Sequence, residues 1–120
     1  MKRLLAYLPL GLWAAVVLTL GTLQLSTASI PTGWDKGAHF VLYGIGGAIA
    51  AWTGHRRGGR AGLVALLAVL LTGMADELHQ STLATRQADI LDWIADAAGA
   101  GLFYMGTARL LPEKKEIDRA

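Results

Sequence analysis

The residues in this chain that are best suited to chemistry lie between Asp76 and Asp96, where five of the nine acidic residues fall. Two long apolar runs flank this stretch. At helical spacing Asp76 and Gln80 lie one turn apart, and so do Asp92 and Asp96 farther along. Carboxylates can serve as general acids and bases or as ligands for cations. Ionisable groups in so apolar a chain are expected to have a structural or functional reason.

The composition is too apolar for an ordinary soluble domain. Of the 120 residues, 53% are hydrophobic, and the mean hydropathy is +0.41. The absence of cysteine excludes a disulfide framework and thiolate chemistry. Nucleic-acid binding has no support, because the basic residues are not interleaved with stacking aromatic residues.

Four apolar runs predict the elements that position the polar side chains. We predict an all-α fold: one polytopic membrane domain over residues 1–120, with four transmembrane helices in one bundle. Loop signals separate the first two runs at Pro31 and Gly33, and a tight basic loop is predicted over residues 54–60. The predicted helices cover about residues 4–23, 35–52, 61–80 and 89–111.

The first run has an alternative interpretation as a secretory signal peptide. Residues 4–23 contain no charged side chain and follow Lys2 and Arg3. Because the apolar region of a signal peptide covers only about 7–15 residues, this longer run predicts a retained transmembrane helix. The small residues between Ser26 and Ser29 leave cleavage open.

The charges predict the orientation of the bundle. Nine of the eleven basic residues lie in three segments: at the N-terminus, between the second and third helices, and at the C-terminus. With four spans these segments share one side, which the positive-inside rule makes cytoplasmic, so both termini are predicted to lie inside. The outer end keeps Lys36 and Arg86 together with six acids: Asp35, Asp76, Glu77, Asp89, Asp92 and Asp96.

This topology brings the start of the second helix, the end of the third and the start of the fourth to the outer boundary. Asp96 lies about 10 Å into its helix, where it should be partnered or protonated because a charged aspartate at mid-membrane costs about 2.5–3.5 kcal/mol. We expect Arg86 to reach Glu77 or Asp92, and His39 to donate to the other acid. The ligand-binding candidates are Asp35, Lys36, His39, Tyr43, Asp76, Glu77, Gln80, Arg86, Asp92 and Asp96.

Three segments of the chain resemble the VanZ-like family of small bacterial membrane proteins. Residues 35–43 resemble its Asp-Lys-x-x-His-Phe-x-x-Tyr segment, and residues 76–80 resemble its Asp-Glu-x-x-Gln segment. The chain departs from the family pattern at Asp96, where many members have Asn, and at Phe103, where a glycine often follows. The third segment resembles the family's Arg…Asp…Asn/Asp…Gly run through Arg86, Asp92, Asp96 and Gly99.

The resemblance implies a multi-pass protein of the bacterial cell envelope, in the cytoplasmic membrane. The family is named for a protein linked to low-level resistance to the glycopeptide antibiotic teicoplanin. The resemblance therefore implies a link to that phenotype, and it implies no particular reaction.

Three functions are compatible with these residues. The first is a binding protein whose outward polar pocket recognises the head group of a membrane lipid or a lipid-linked envelope precursor, with Lys36 and Arg86 as donors to phosphate. The second is an intramembrane enzyme that applies acid–base or metal-assisted chemistry to a lipid-linked phosphate, although no nucleophile-elbow, His-Glu-x-x-His or phosphate-loop motif is present. The third is a proton or cation pathway. The pattern assigns no catalytic residue, cofactor or resident metal, and it leaves the oligomeric state open.

The same polar residues also have a purely structural interpretation. An aspartate at a helix start is often only a cap, worth about 1 kcal/mol, and Asp89 fits that role best. The others would form a buried polar network that fixes helix packing. The members of that network would be His39, Glu77, Asp92 and Asp96.

Overall fold

A computed structural model describes residues 2–22, 34–82 and 90–112 of the chain, and the side chains of residues 2, 3, 22, 34, 35 and 80 lie outside that description. The described residues are helical with short turns and contain no strand, which confirms the all-α prediction. The helices are α1 (Lys2–Leu5), α2 (Leu8–Thr22), α3 (Trp34–Arg57), α4 (Gly59–Gln80) and α5 (Ile90–Leu110).

The prediction that the first helix is continuous was wrong, because the structure interrupts it at Ala6 and Tyr7. The cause is Pro9, whose ring clashes with the carbonyl four residues earlier, at Leu5, and which has no N–H to donate. At this break the Tyr7 N–H donates a hydrogen bond to the Leu4 carbonyl over 3.0 Å. A short α1 therefore precedes α2.

The predicted end of the second helix at residue 52 and the basic loop over residues 54–60 were also wrong. Helix α3 continues to Arg57, and α4 begins at Gly59, so Gly58 alone joins them. Gly58 has a φ of 111°, in the region that glycine adopts at little cost, and this reverses the chain in one residue. The basic residues of this segment therefore lie on helix ends rather than in a loop.

Helices α3 and α4 each pack against the three other long helices, and the contact between α3 and α5 is the most extensive in the bundle. Helices α3 and α5 run in the same direction and approach closely through glycines. A Cβ on Gly99 would collide with the Phe40 carbonyl oxygen, and a Cβ on Gly47 would collide with that of Ala100. Glycines at these two positions therefore let the helix backbones approach closely.

Phe103, where the chain departs from the family pattern, is accommodated by a second small residue on α3. A Cβ on Gly44 would lie 2.7 Å from the Phe103 ring. The same ring meets Phe40 edge to face, with centroids 5.8 Å apart. The large side chain therefore packs here because α3 offers a glycine opposite it.

The surface of the bundle is apolar along every long helix. Within the described residues, one helix, over Gly59–His79, is long and apolar enough to cross a membrane, and Leu8–Gly21 is apolar but shorter. Exposed large apolar side chains also occur on α3 and α5, which carry the polar residues of the site. These exposed residues include Leu12, Val16, Val41, Ile45, Leu63, Leu67, Leu71, Ile94, Leu102 and Met105.

Candidate functional site

A buried polar cluster lies where the start of α3, the end of α4 and the start of α5 meet. We call it the polar cluster, and its members are Lys36, His39, Tyr43, Asp76, Glu77, Asp92 and Asp96. All four of its acids are buried, and Asp96 is the deepest, with 1% of its surface exposed. A four-acid cluster inside an apolar bundle requires compensating contacts, because burying an unpaired charge is costly.

The innermost contact joins His39 and Asp96. Nδ1 of His39 lies 2.7 Å from Oδ1 of Asp96, which is hydrogen-bond distance, and the tautomer of the imidazole decides which atom carries the proton. Asp96 thus has the partner that its depth required. The predicted partner of His39 was wrong, because Glu77 or Asp92 was expected and Asp96 occupies that place.

The outer contact joins Lys36 and Asp92, with Nζ of the lysine donating to Oδ1 of the aspartate over 3.3 Å. The two pairs follow from the parallel course of α3 and α5. Lys36 and His39 are three residues apart on α3, and Asp92 and Asp96 are four apart on α5, so successive turns of the two helices face each other. The Lys36 side chain is 38% exposed, so its ammonium group lies at the rim of the cluster.

Tyr43 lies beside His39 in the polar cluster. Its ring is fully buried, lies parallel to the His39 ring at 6.2 Å, and meets Trp13 of α2 edge to face at 5.3 Å. Among the described residues, no hydrogen-bond partner is present for the Tyr43 hydroxyl or for Oδ2 of Asp96. Gly73 of α4 leaves room for both, because a Cβ there would lie 3.1 Å from the tyrosine ring and 3.2 Å from that oxygen.

Helix α4 brings Asp76 and Glu77 to the remaining sides. Asp76 faces α2 so closely that a Cβ on Gly21 would collide with its Oδ1. Glu77 faces the inner pair, and one donor atom from each of His39, Glu77 and Asp96 fits within 4.8 Å of the others. These three residues come from three helices and have the nitrogen and oxygen donors that a divalent metal ion uses.

Three of the predicted site residues cannot be placed. The side chains of Asp35 and Gln80, and all of Arg86, lie outside the described residues. The contact of Arg86 with Glu77 or Asp92 therefore remains a prediction. The described members that the structure brings together are Lys36, His39, Tyr43, Asp76, Glu77, Asp92 and Asp96.

Sequence reasoning missed the contribution of α2 to this end of the bundle. Trp13 packs on Tyr43, and its indole N–H donates to the Leu42 carbonyl over 2.9 Å. Gly21 provides the space that Asp76 fills. A tryptophan in an apolar run and a glycine near its end are ordinary features, so neither position carried a signal that pointed to the cluster.

The VanZ/LLP1 family model matches residues 3–111. The chain belongs to the VanZ/LLP1 family. This confirms the resemblance drawn from the three polar segments, since the match contains all of them and extends to α1 and α2. No curated protein and no solved structure matches the chain significantly. Membership of the VanZ/LLP1 family is consistent with an envelope protein.

Proposed function

We propose that this VanZ/LLP1 protein is a multi-pass protein of the bacterial cytoplasmic membrane, with four spans formed by α1 with α2, α3, α4 and α5. The exposed apolar side chains on every long helix support this, because a soluble monomer rarely carries such continuous apolar surface. Helices α3, α4 and α5 contain 24, 22 and 21 residues. At 1.5 Å per residue each is about 30 Å long or more, which matches the hydrocarbon thickness of a bilayer.

The orientation in this proposal has the polar cluster facing outward and both termini in the cytoplasm. Arg56, Arg57 and Arg60 lie where α3 turns into α4, at the end of α3 opposite the polar cluster. The guanidinium of Arg56 lies 5.6 Å from the centre of the Trp52 ring, and this pairing of a cation with tryptophan is typical of a membrane interface.

Cysteine labelling tests this orientation in a chain that has no native cysteine. In intact cells a membrane-impermeant maleimide is expected to modify Ala28→Cys and Ala84→Cys but not Gly59→Cys. Gly59 is the better inner probe than Gly58, because it is exposed and does not need a positive φ. In the part of the chain that the structure describes, only its chain neighbours and its own helix backbone come within 4 Å of its Cβ position. Permeabilised cells, in which all three variants should react, are the control. Labelling of Gly59→Cys alone in intact cells would reverse the proposed topology.

For the activity, we propose that the rim of the polar cluster binds the phosphate of a lipid or lipid-linked head group. The observation that carries this proposal is the Lys36–Asp92 pair. Asp92 orients an ammonium group that is still partly exposed, one helical turn from the pair of half-buried His39 and buried Asp96. An oriented ammonium at the outer boundary of a bilayer is placed to meet a phosphate. Arg86, in the segment between α4 and α5, supplies a second cation in this proposal, and a link to teicoplanin-type resistance rests on the family name.

Native mass spectrometry from mild detergent tests the proposal, with co-purified phosphate-bearing lipids as the readout. The wild-type protein should retain such a lipid, and Lys36→Gln should retain at least about tenfold less, because a charge-assisted hydrogen bond contributes about 1.5–3 kcal/mol. Arg60→Gln is the matched control, since it removes one exposed positive charge at the other end of the bundle. Equal retention by both variants and the wild type would contradict a role of Lys36 in head-group binding.

A second candidate function is an acid–base enzyme, and the short His39–Asp96 contact favours it. A carboxylate at 2.7 Å fixes the orientation of the imidazole, which is how a general base is commonly prepared. The two candidates differ in one measurement. An enzyme should release head groups from phospholipid vesicles and lose that activity in His39→Gln, whereas a binding protein should retain lipids without releasing products.

The third interpretation, a proton or cation pathway, receives no support from the described helices. A pathway needs ionisable groups at successive depths across the bundle. Helix α4 has no acidic, basic or histidine residue between Arg60 and Asp76, and α5 has none between Asp96 and Arg109. The polar cluster is therefore better described as a site at one end than as part of a continuous route.

A further inference from the structure

We infer that His39, Glu77 and Asp96 bind one divalent transition-metal ion, Mn²⁺ or Zn²⁺. Each residue comes from a different helix of the bundle, and their donor atoms already lie within 4.8 Å of one another. Donor atoms on opposite sides of an ion are at most about 4.2 Å apart when each bond is about 2.1 Å. Small side-chain movements are therefore enough to close the three ligands around an ion.

The second observation that points to a ligand is the free oxygen of Asp96. This carboxylate is 1% exposed, and its Oδ2 has no hydrogen-bond partner among the described residues. A buried polar atom without a partner costs about 1–3 kcal/mol. The neighbouring Tyr43 hydroxyl is also buried and also lacks a described partner. These two buried polar atoms indicate that the polar cluster binds a ligand next to Asp96 and Tyr43.

The charge balance of the sequence agrees with a dication. Four buried carboxylates share this end of the bundle. The sequence provides Lys36 at the start of α3 and Arg86 between α4 and α5 as permanently charged cations. These two residues carry two positive charges against four carboxylates, and a protonated His39 would add a third. One divalent ion bound to a neutral His39 brings the total to four positive charges without requiring protons on the buried acids.

The donor set selects the class of ion. An imidazole nitrogen suits Zn²⁺ and other transition metals, and carboxylate oxygens suit Mn²⁺ as well. Mg²⁺ and Ca²⁺ prefer sites made only of oxygen atoms. Three protein ligands leave at least one coordination position for water or for an oxygen of a bound phosphate. This inference goes beyond head-group binding and does not depend on it, since the ion can bind without lipid.

Isothermal titration of the full-length protein in detergent, first stripped with a chelator, tests the inference with MnCl₂, ZnCl₂ and MgCl₂ as probes. Mn²⁺ or Zn²⁺ should bind with one ion per chain, and Mg²⁺ should bind much more weakly. Glu77→Gln should weaken binding of that ion by at least about 10–100-fold, the range already seen when groups that merely support a ligand are removed. Asp92→Asn is the matched control, because it removes a buried carboxylate that lies outside the three-ligand set.

Pulsed electron paramagnetic resonance on the Mn²⁺-loaded wild type gives a readout that needs no variant. Coupling to one imidazole nitrogen should be present, because His39 is the histidine in the site. Absence of saturable one-to-one binding, absence of nitrogen coupling, or equal loss in Glu77→Gln and Asp92→Asn would overturn the inference. If the wild-type protein binds no metal ion but still retains more lipid than Lys36→Gln, the metal site alone is overturned. The opposite result would overturn head-group binding alone.

Discussion

Replacement of Gly99 by alanine is expected to destabilise the bundle by about 1–3 kcal/mol, the usual cost of overpacking a filled interior. The added Cβ would collide with the Phe40 carbonyl oxygen on α3. A backbone atom cannot rotate away as a side chain can, so the two helices must separate to admit the methyl group. The same separation would loosen the Lys36–Asp92 and His39–Asp96 contacts, because both span α3 and α5.

Gly101→Ala is the matched control for this prediction. Gly101 lies two residues farther along α5, and among the described residues no atom beyond its chain neighbours and its own helix backbone lies within 4 Å of its Cβ position. Alanine is favoured over glycine in a helix interior by about 0.5–1 kcal/mol, so this variant should be as stable as the wild type or slightly more stable. The measurement is thermal unfolding in mild detergent. If both variants unfold at the wild-type temperature, α3 and α5 do not approach closely at Gly99.

The helices themselves were predictable, but their exact ends were not. An apolar run locates a helical segment well, because an apolar environment requires every backbone N–H and C=O group of that segment to be hydrogen-bonded within it. The ends at Leu5 and Arg57 depend on single residues. Pro9 breaks a run that otherwise looks continuous, and Gly58 alone makes a turn that composition alone suggests is a longer loop.

The composition of the polar cluster was largely predictable, and the pairing within it was not. The predicted topology brings the start of α3 and the start of α5 to the same end, so the meeting of His39 with acids from α5 follows. Whether His39 meets Asp92 or Asp96 depends on how far one helix slides along the other. That register is set by the close contacts of Gly99 and Gly47 with carbonyl oxygens on the facing helix, and spacing within one helix does not report it.

Replacement of Asp96 by leucine is expected to destabilise the bundle by about 1–3 kcal/mol, because it leaves the half-buried imidazole of His39 without its partner. Nδ1 of His39 then loses the oxygen that lies 2.7 Å away. Asp96→Asn should behave differently, because an amide keeps an oxygen and a donor within reach of the imidazole. The variants are compared by thermal unfolding in mild detergent with a chelator present, so that no bound metal contributes to stability.

A double-mutant cycle separates the His39–Asp96 contact from general packing. His39→Leu combined with Asp96→Leu should be less destabilising than the sum of the single changes, because removing both partners leaves no orphaned polar group. The coupling should exceed about 1 kcal/mol. The cycle of Lys36→Gln with Asp92→Asn should give less, because exposed pairs contribute about 0.2–1 kcal/mol and the lysine is 38% exposed. Equal stability of Asp96→Leu and Asp96→Asn, with no coupling to His39, would mean that the innermost pair does not hold the polar cluster together.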